Sequence, residues 1–122
     1  IRVEGAASGE DARRAARSIA ESLLVKTAIN GCLPNWGRIL AAVGRAGVEG
    51  LDLNALEIYL GDVCLVRNGG RAEDYSEARG QAVMDGEEIT IHIDLGRGNV
   101  SERVWTCDFS HDYVTINAEY RT

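Results

Sequence analysis

His92 and Asp94 stand two residues apart in an alternating stretch, so both point to one face of a strand, where a carboxylate could orient an imidazole for proton transfer. The same spacing fits a solvated polar face opposite Ile89, Ile91 and Ile93, and that is the more economical reading. Cys107 and His111 have a C-x-x-x-H spacing, but no second pair at metal-ligand spacing accompanies them, so no metal site is expected. Cys107 instead alternates with Trp105 and Phe109 and is expected to pack beside them on one side of a strand. Asn68-Gly69-Gly70 and Gly96-Arg97-Gly98 read as hairpin turns, since neither has the spacing of a phosphate loop.

Asn117 differs in kind. Tyr113, Ile116, Asn117 and Tyr120 recur at helical spacing, which would put an amide on an inward, aromatic face where it needs partners. Thr122 lies five residues further on, so the amide and the Thr122 hydroxyl could meet in one pocket and bracket the carboxylate and amine of an amino acid. A capping or core-satisfied asparagine fits the spacing as well.

The elements that must position these residues follow from pattern. Ile1 to Gly5 alternates as the end of a strand. Ser8 and Asp11 make a capping-box variant, and Ala12, Ala15, Ala16, Ile19, Leu23 and Ala28 then predict one long helix from Gly9 to about Thr27. Pro34 suits the first turn of a second helix that carries Trp36, Ile39, Leu40 and Val43 and stops near Gly47. Leu56 to Leu60 and Val63 to Val66, split by Gly61-Asp62, form a hairpin that ends at Asn68-Gly69-Gly70. Residues 71–86 read as a loop with a short helix. Ile89 to Leu95 and Glu102 to Phe109 are expected to pair as a second hairpin, and Ser110 caps a final helix. This order gives a single α+β domain over residues 1–122, with an antiparallel or mixed sheet packed under helices.

Composition narrows the classes. The 122 residues carry 13 Lys and Arg against 19 Asp and Glu, a net charge of −6 with both signs interspersed, which argues against nucleic acid as a partner. No apolar run approaches the ~20 residues of a membrane helix, so no membrane partner is expected. Three widely spaced cysteines, Cys32, Cys64 and Cys107, favour free thiols and a cytoplasmic setting. Opening on Ile1 without a basic and apolar leader fits a processed or truncated chain, with part of the natural beginning upstream.

Two stretches resemble a known family. Leu24-Val25-Lys26-Thr27-Ala28-Ile29 leads into Pro34-Asn35-Trp36-Gly37-Arg38-Ile39-Leu40-Ala41-Ala42-Val43-Gly44, and Trp105-Thr106-Cys107-Asp108 precedes Tyr113-Val114-Thr115-Ile116-Asn117-Ala118-Glu119-Tyr120-Arg121-Thr122. These are similar to the C-terminal part of the β chain of the ornithine acetyltransferases, bifunctional arginine-biosynthesis enzymes also called glutamate N-acetyltransferases. The resemblance is long, ungapped and covers essentially the whole chain.

It implies a precursor that cleaves itself into α and β chains and exposes a threonine at the new N-terminus as nucleophile. Acetyl would pass from N2-acetylornithine through that threonine to L-glutamate in a ping-pong cycle, with acetyl-CoA a further donor in bifunctional members, and no cofactor. The partners it implies are the α chain and the remaining β-chain segment, in an α2β2 heterotetramer. The family's C-terminal substrate contacts fall on Asn117 and Thr122. The nucleophile, the oxyanion donors and a substrate-binding glutamate lie outside these residues, so the chain alone is expected to be inert. Lys26, Thr27, Asn35 and Arg38 are family signatures whose role, substrate or scaffold, stays open. Leu33 replaces the family's aspartate, which is expected to cost the Arg38 helix a cap or an ion pair. The alternatives are a non-catalytic binding or assembly domain that keeps the fold, and a hydrolase using Cys107 or Cys32 with His111.

Overall fold

The structure, a computed structural model, describes residues 1–120. Its elements run β1 (Arg2–Ala6), α1 (Gly9–Ala20), α2 (Leu23–Asn30), α3 (Trp36–Gly44), β2 (Glu57–Leu60), β3 (Val63–Arg67), β4 (Gly70–Arg71), α4 (Glu77–Met84), β5 (Ile91–Asp94), β6 (Val100–Arg103) and α5 (His111–Glu119). The strands form one mixed six-stranded sheet in the order β4-β3-β2-β5-β1-β6. The α+β expectation holds, and the sheet is of the mixed kind, because β1 pairs parallel with β5 while its other side pairs antiparallel with β6.

Alternation sorts the sheet into two faces. Val3 sits opposite Ile93, and Ile93 opposite Ile58, and all three are fully buried. The next row is polar: Arg103, Arg2, His92, Tyr59 and Cys64 follow one another across β6, β1, β5, β2 and β3. Helices cover the apolar face. Ala12, Ala15, Ala16 and Ile19 of α1 are completely buried, and the small alanine side chains let the helix axis come close to β1 and β6. Ile39 and Val43 of α3 complete the layer, and the Ser18 hydroxyl donates to the Ala42 carbonyl between the two helices.

Four expectations need correction. The predicted long helix is two helices, because Ser22 leaves helical geometry and accepts the Val25 N–H (3.2 Å) as the N-cap of α2. The chain turns there, and Leu23, which a continuous helix would stack on Ile19, is 59% exposed. Asn35 rather than Pro34 opens α3. Asn68-Gly69 does not end the ribbon, since the chain turns back there into the two-residue strand β4.

The largest correction concerns the second hairpin. β5 and β6 do not pair, because β1 lies between them. Only Val100–Arg103 is strand, so the alternation of Trp105, Cys107 and Phe109 builds no packed face: Trp105 is 80% exposed and Cys107 is exposed. Instead the Trp105 ring lies under the Arg103 guanidinium, and Phe109 packs on Tyr113.

Gly5 makes the central strand fit. Its φ of +67° falls where the β1–β6 register shifts between Val3 and Ala6, and a Cβ there would run into the Asp94 carboxylate and lie 2.9 Å from the Gly96 nitrogen. Gly5→Ala should therefore lower unfolding free energy by about 2 kcal/mol or more. Denaturant unfolding with m-values compared checks this, and a loss under about 0.5 kcal/mol would show the bulge to be unconstrained.

Candidate functional site

Three groups of side chains carry chemistry: the elbow between α2 and α3, the open polar face of the sheet, and the arm formed by residues 104–120.

In the elbow, Asn35 Oδ1 accepts the Arg38 N–H at 3.1 Å and caps α3. Arg38 Nη1 donates to the Leu24 carbonyl (2.8 Å) and reaches the Thr27 hydroxyl (3.4 Å), and Thr27 Oγ1 also donates to Leu24 O (3.1 Å). Thr27, Asn35 and Arg38 thus fasten two short helices at a fixed angle, a scaffolding role. Asn35 supplies the cap of α3, and Leu33, two residues earlier, is 55% exposed.

On the sheet's open face, His92 does not pair with Asp94. Its Nε2 lies 3.2 Å from Glu4 Oε2 across the parallel β1–β5 seam, off line for a hydrogen bond, so this buried nitrogen has no hydrogen-bond partner. The imidazole stacks on Tyr59 at 5.5 Å. Asp94 Oδ1 accepts the Gly96 N–H (3.0 Å) and closes the turn after β5. The structure thus takes the polar-face reading over a catalytic dyad.

The same face holds a cluster the sequence did not announce. Arg67 Nε donates to Glu57 Oε2 (3.0 Å), the Tyr59 hydroxyl donates to Glu57 Oε1 (2.9 Å), and Arg67 Nη2 lies 3.4 Å from that hydroxyl. The Arg67 contact favours the phenolate, but burial and the Glu57 carboxylate outweigh it and hold the Tyr59 hydroxyl above its ordinary range. The signal was present: Glu57 and Tyr59 share a face, and the β2–β3 hairpin returns Arg67 beside them.

The arm begins where β6 ends. The Thr106 hydroxyl donates to Ala20 O (3.1 Å) and the Phe109 N–H to Lys26 O (3.2 Å), which moors the chain to the end of α1 and to α2. Ser110 Oγ then accepts the Asp112 N–H at 3.3 Å and starts α5. No α5 residue is buried, and Tyr113, Val114, Ile116 and Tyr120 are 55 to 71% exposed. The expected inward face therefore points to solvent, because the helix leaves the edge of the domain and has no sheet surface beneath it. Asn117 is exposed, and its Nδ2 donates to the Tyr113 carbonyl at 2.8 Å. Thr122 lies outside the described residues, so its meeting with Asn117 is not described either. Cys107 and His111 are both exposed on this arm, and among the described residues no group of three His, Cys, Asp or Glu side chains is placed to hold a metal.

This fold and these sites define a class: an α+β domain with a helix-covered mixed sheet, a polar open face and a helix, α5, that buries none of its residues against the domain. The model of the ArgJ family matches residues 1–122, and the chain belongs to that family. It is 53% identical over its whole length to an arginine biosynthesis bifunctional protein ArgJ of Pseudomonas fluorescens (strain Pf0-1) and 52% identical to one of Pseudomonas syringae pv. tomato (strain ATCC BAA-871 / DC3000). The chain spans 30% of the length of each of these relatives. The crystal structure of an arginine biosynthesis bifunctional protein from Bacillus halodurans superposes with a TM-score of 0.90 at 36% identity, over 98% of this chain and 55% of that one.

The three thiols are free and differ in setting, with Cys64 buried in β3 and Cys107 exposed. Burial pushes the Cys64 thiol up, opposed by Arg67 and reinforced by Glu57 and Asp74. The folded domain therefore keeps this proton at pH values where the unfolded chain gives it up. Its contribution is intact below the ordinary thiol range near ~8.5 and is lost progressively as pH rises from there through the raised value of the folded thiol. Unfolding free energy measured against pH should fall more steeply above about pH 8.5 in the parent than in Cys64→Ala. Equal slopes would remove the thiol from the account.

Proposed function

We propose that this chain is the C-terminal domain of the β chain of a glutamate N-acetyltransferase (ornithine acetyltransferase). In this reading the complete enzyme moves acetyl from N2-acetylornithine to L-glutamate, in the cytoplasm, in arginine biosynthesis. An N-terminal threonine outside these residues attacks the acetyl carbonyl, ornithine leaves, and glutamate takes the acetyl group in a ping-pong cycle. Donors on the other chain stabilise the tetrahedral oxyanion. Acetyl-CoA serves as a second donor, which agrees with the word bifunctional in the relatives' names. No cofactor takes part.

The observation that carries this reading is the family match over all 122 residues. The exposure of α5 supports it: a helix that holds out Tyr113, Ile116 and Tyr120 beside Asn117 suits a surface that its own domain does not provide. Once α5 is covered, the Asn117 amide sits among apolar side chains and can hold a substrate carboxylate or amine jointly with Thr122. The internal bond to Tyr113 O uses only one of its amide protons. The α chain and the rest of the β chain provide the covering surface and the reacting groups, in an α2β2 heterotetramer.

Asn117→Ala in the complete enzyme should raise KM for both acetylornithine and glutamate while acetylation of the nucleophile still occurs. Leaving a buried polar partner unpaired costs about 1 to 3 kcal/mol, or roughly 5- to 150-fold in kcat/KM. Steady-state kinetics with each amino acid varied in turn checks this. Unchanged constants would take Asn117 out of the site.

A further inference from the structure

α5 carries Asn117 but buries none of its own residues. Among the described residues its side-chain hydrogen bonds, from Thr115 to His111 O (3.2 Å) and from Asn117 to Tyr113 O (2.8 Å), stay within the helix. The direction in which α5 leaves the domain is therefore set at its root, in the segment that joins it to β6.

That root is bonded to the domain at two points. The Thr106 hydroxyl donates to Ala20 O (3.1 Å), where α1 ends, and the Phe109 N–H donates to Lys26 O (3.2 Å) in α2. Phe109 also reaches α5. Its ring, from the one phenylalanine of the sequence, lies 4.6 Å from that of Tyr113 at 42°, within the separations at which aromatic pairs attract. Tyr113 in turn takes the Asn117 amide through its main-chain carbonyl, one turn further along. A carbonyl only accepts, so the Asn117 NH₂ faces it, and Oδ1 and the second amide proton stay available to a ligand. The α2 main chain, the Phe109 ring, Tyr113 and the Asn117 amide thus form one contiguous series.

We infer that Phe109 is a positioning residue for amino-acid recognition. With its main chain bonded to α2 and its ring against Tyr113, it sets the direction of α5 and so the place of the Asn117 amide. This role rests on the assignment of Asn117 to the substrate site proposed above. It requires a ring at residue 109 and no hydroxyl or charge, and removing the side chain leaves the main-chain bond to Lys26 in place. Losing the ring displaces a substrate contact and not the reacting groups, so the loss is read in KM and not in kcat.

A double-mutant cycle in the complete enzyme tests this, with KM for acetylornithine and for glutamate as the readouts. Phe109→Ala should raise both KM values at least about threefold, within the range that an aromatic pair supports, with kcat retained. Phe109→Tyr should restore them. In an Asn117→Ala background the same Phe109→Ala should change KM by less than about twofold, because the group it positions is gone. Equal effects in both backgrounds, a fall in kcat at constant KM, or a parental KM in Phe109→Ala beside a defective Asn117→Ala would each overturn the role of Phe109 and leave Asn117 in the site. An Asn117→Ala enzyme with parental constants would remove the site and its positioning residue together. If Phe109→Ala does not fold, Tyr113→Ala, at a 55% exposed position, removes the same ring contact and keeps the carbonyl, and the same outcomes decide.

Discussion

Everything in this domain depends on one parallel pairing, that of β1 with β5. A chain built only from hairpins would let β5 turn back on β6, since Gly96 to Asn99 is a competent turn. Instead, β1 occupies the place between them, and the residues after β5 must cross its end. Two main-chain bonds fix that crossing: the Leu95 N–H donates to Glu4 O at 2.9 Å and the Arg97 N–H to Gly5 O at 2.7 Å. The crossing is tight, because a Cβ on Gly98 would lie 2.6 Å from the Ala6 carbonyl oxygen. Both Gly5 and Gly98 therefore answer to backbone geometry.

From this insertion follow the two faces and the arm. The row Val3, Ile93, Ile58 is continuous only because β1 stands in register beside β5, and that row gives α1 and α3 their floor. On the reverse side, the same register brings Arg2 and Glu4 beside His92, while the β2–β3 hairpin brings Arg67 beside Glu57 and Tyr59. With β6 displaced to the sheet edge, the chain after Arg103 leaves along α2, and α5 departs with its apolar side chains uncovered. A domain arranged in this way supplies a packed platform from which α5 projects with its side chains exposed.

Much of this was legible from the residues. The alternation of Leu56, Ile58 and Leu60 and of Ile91, Ile93 and Leu95 marks buried faces of strands, and Gly61-Asp62 marks the turn from β2 into β3. Ser8 and Ser110 cap the helices they were expected to cap. The errors have physical causes. Ser22 looks like any polar residue in a helix until its hydroxyl takes the Val25 N–H, a local competition that spacing alone does not decide. The partner of β6 is about a hundred residues away in sequence, and no turn signal encodes so distant a pairing. Trp105, Cys107 and Phe109 alternate as a strand does, yet alternation stabilises nothing where there is no second layer to pack against. Tyr113, Ile116 and Tyr120 do share a helix face, and the inference that such a face turns inward fails because this domain offers α5 no surface. The family likeness was legible in long ungapped stretches, and the family match covers all of them.

We propose that this domain belongs to a self-processing acetyltransferase whose nucleophile lies outside residues 1–122. Intact mass spectrometry under denaturing conditions, on the protein purified from its full-length gene, tests it most directly. The reading predicts two chains, with the one that contains these residues beginning on a threonine and gaining one acetyl group when incubated with N2-acetylornithine. A single unprocessed chain that takes up no acetyl group would contradict it.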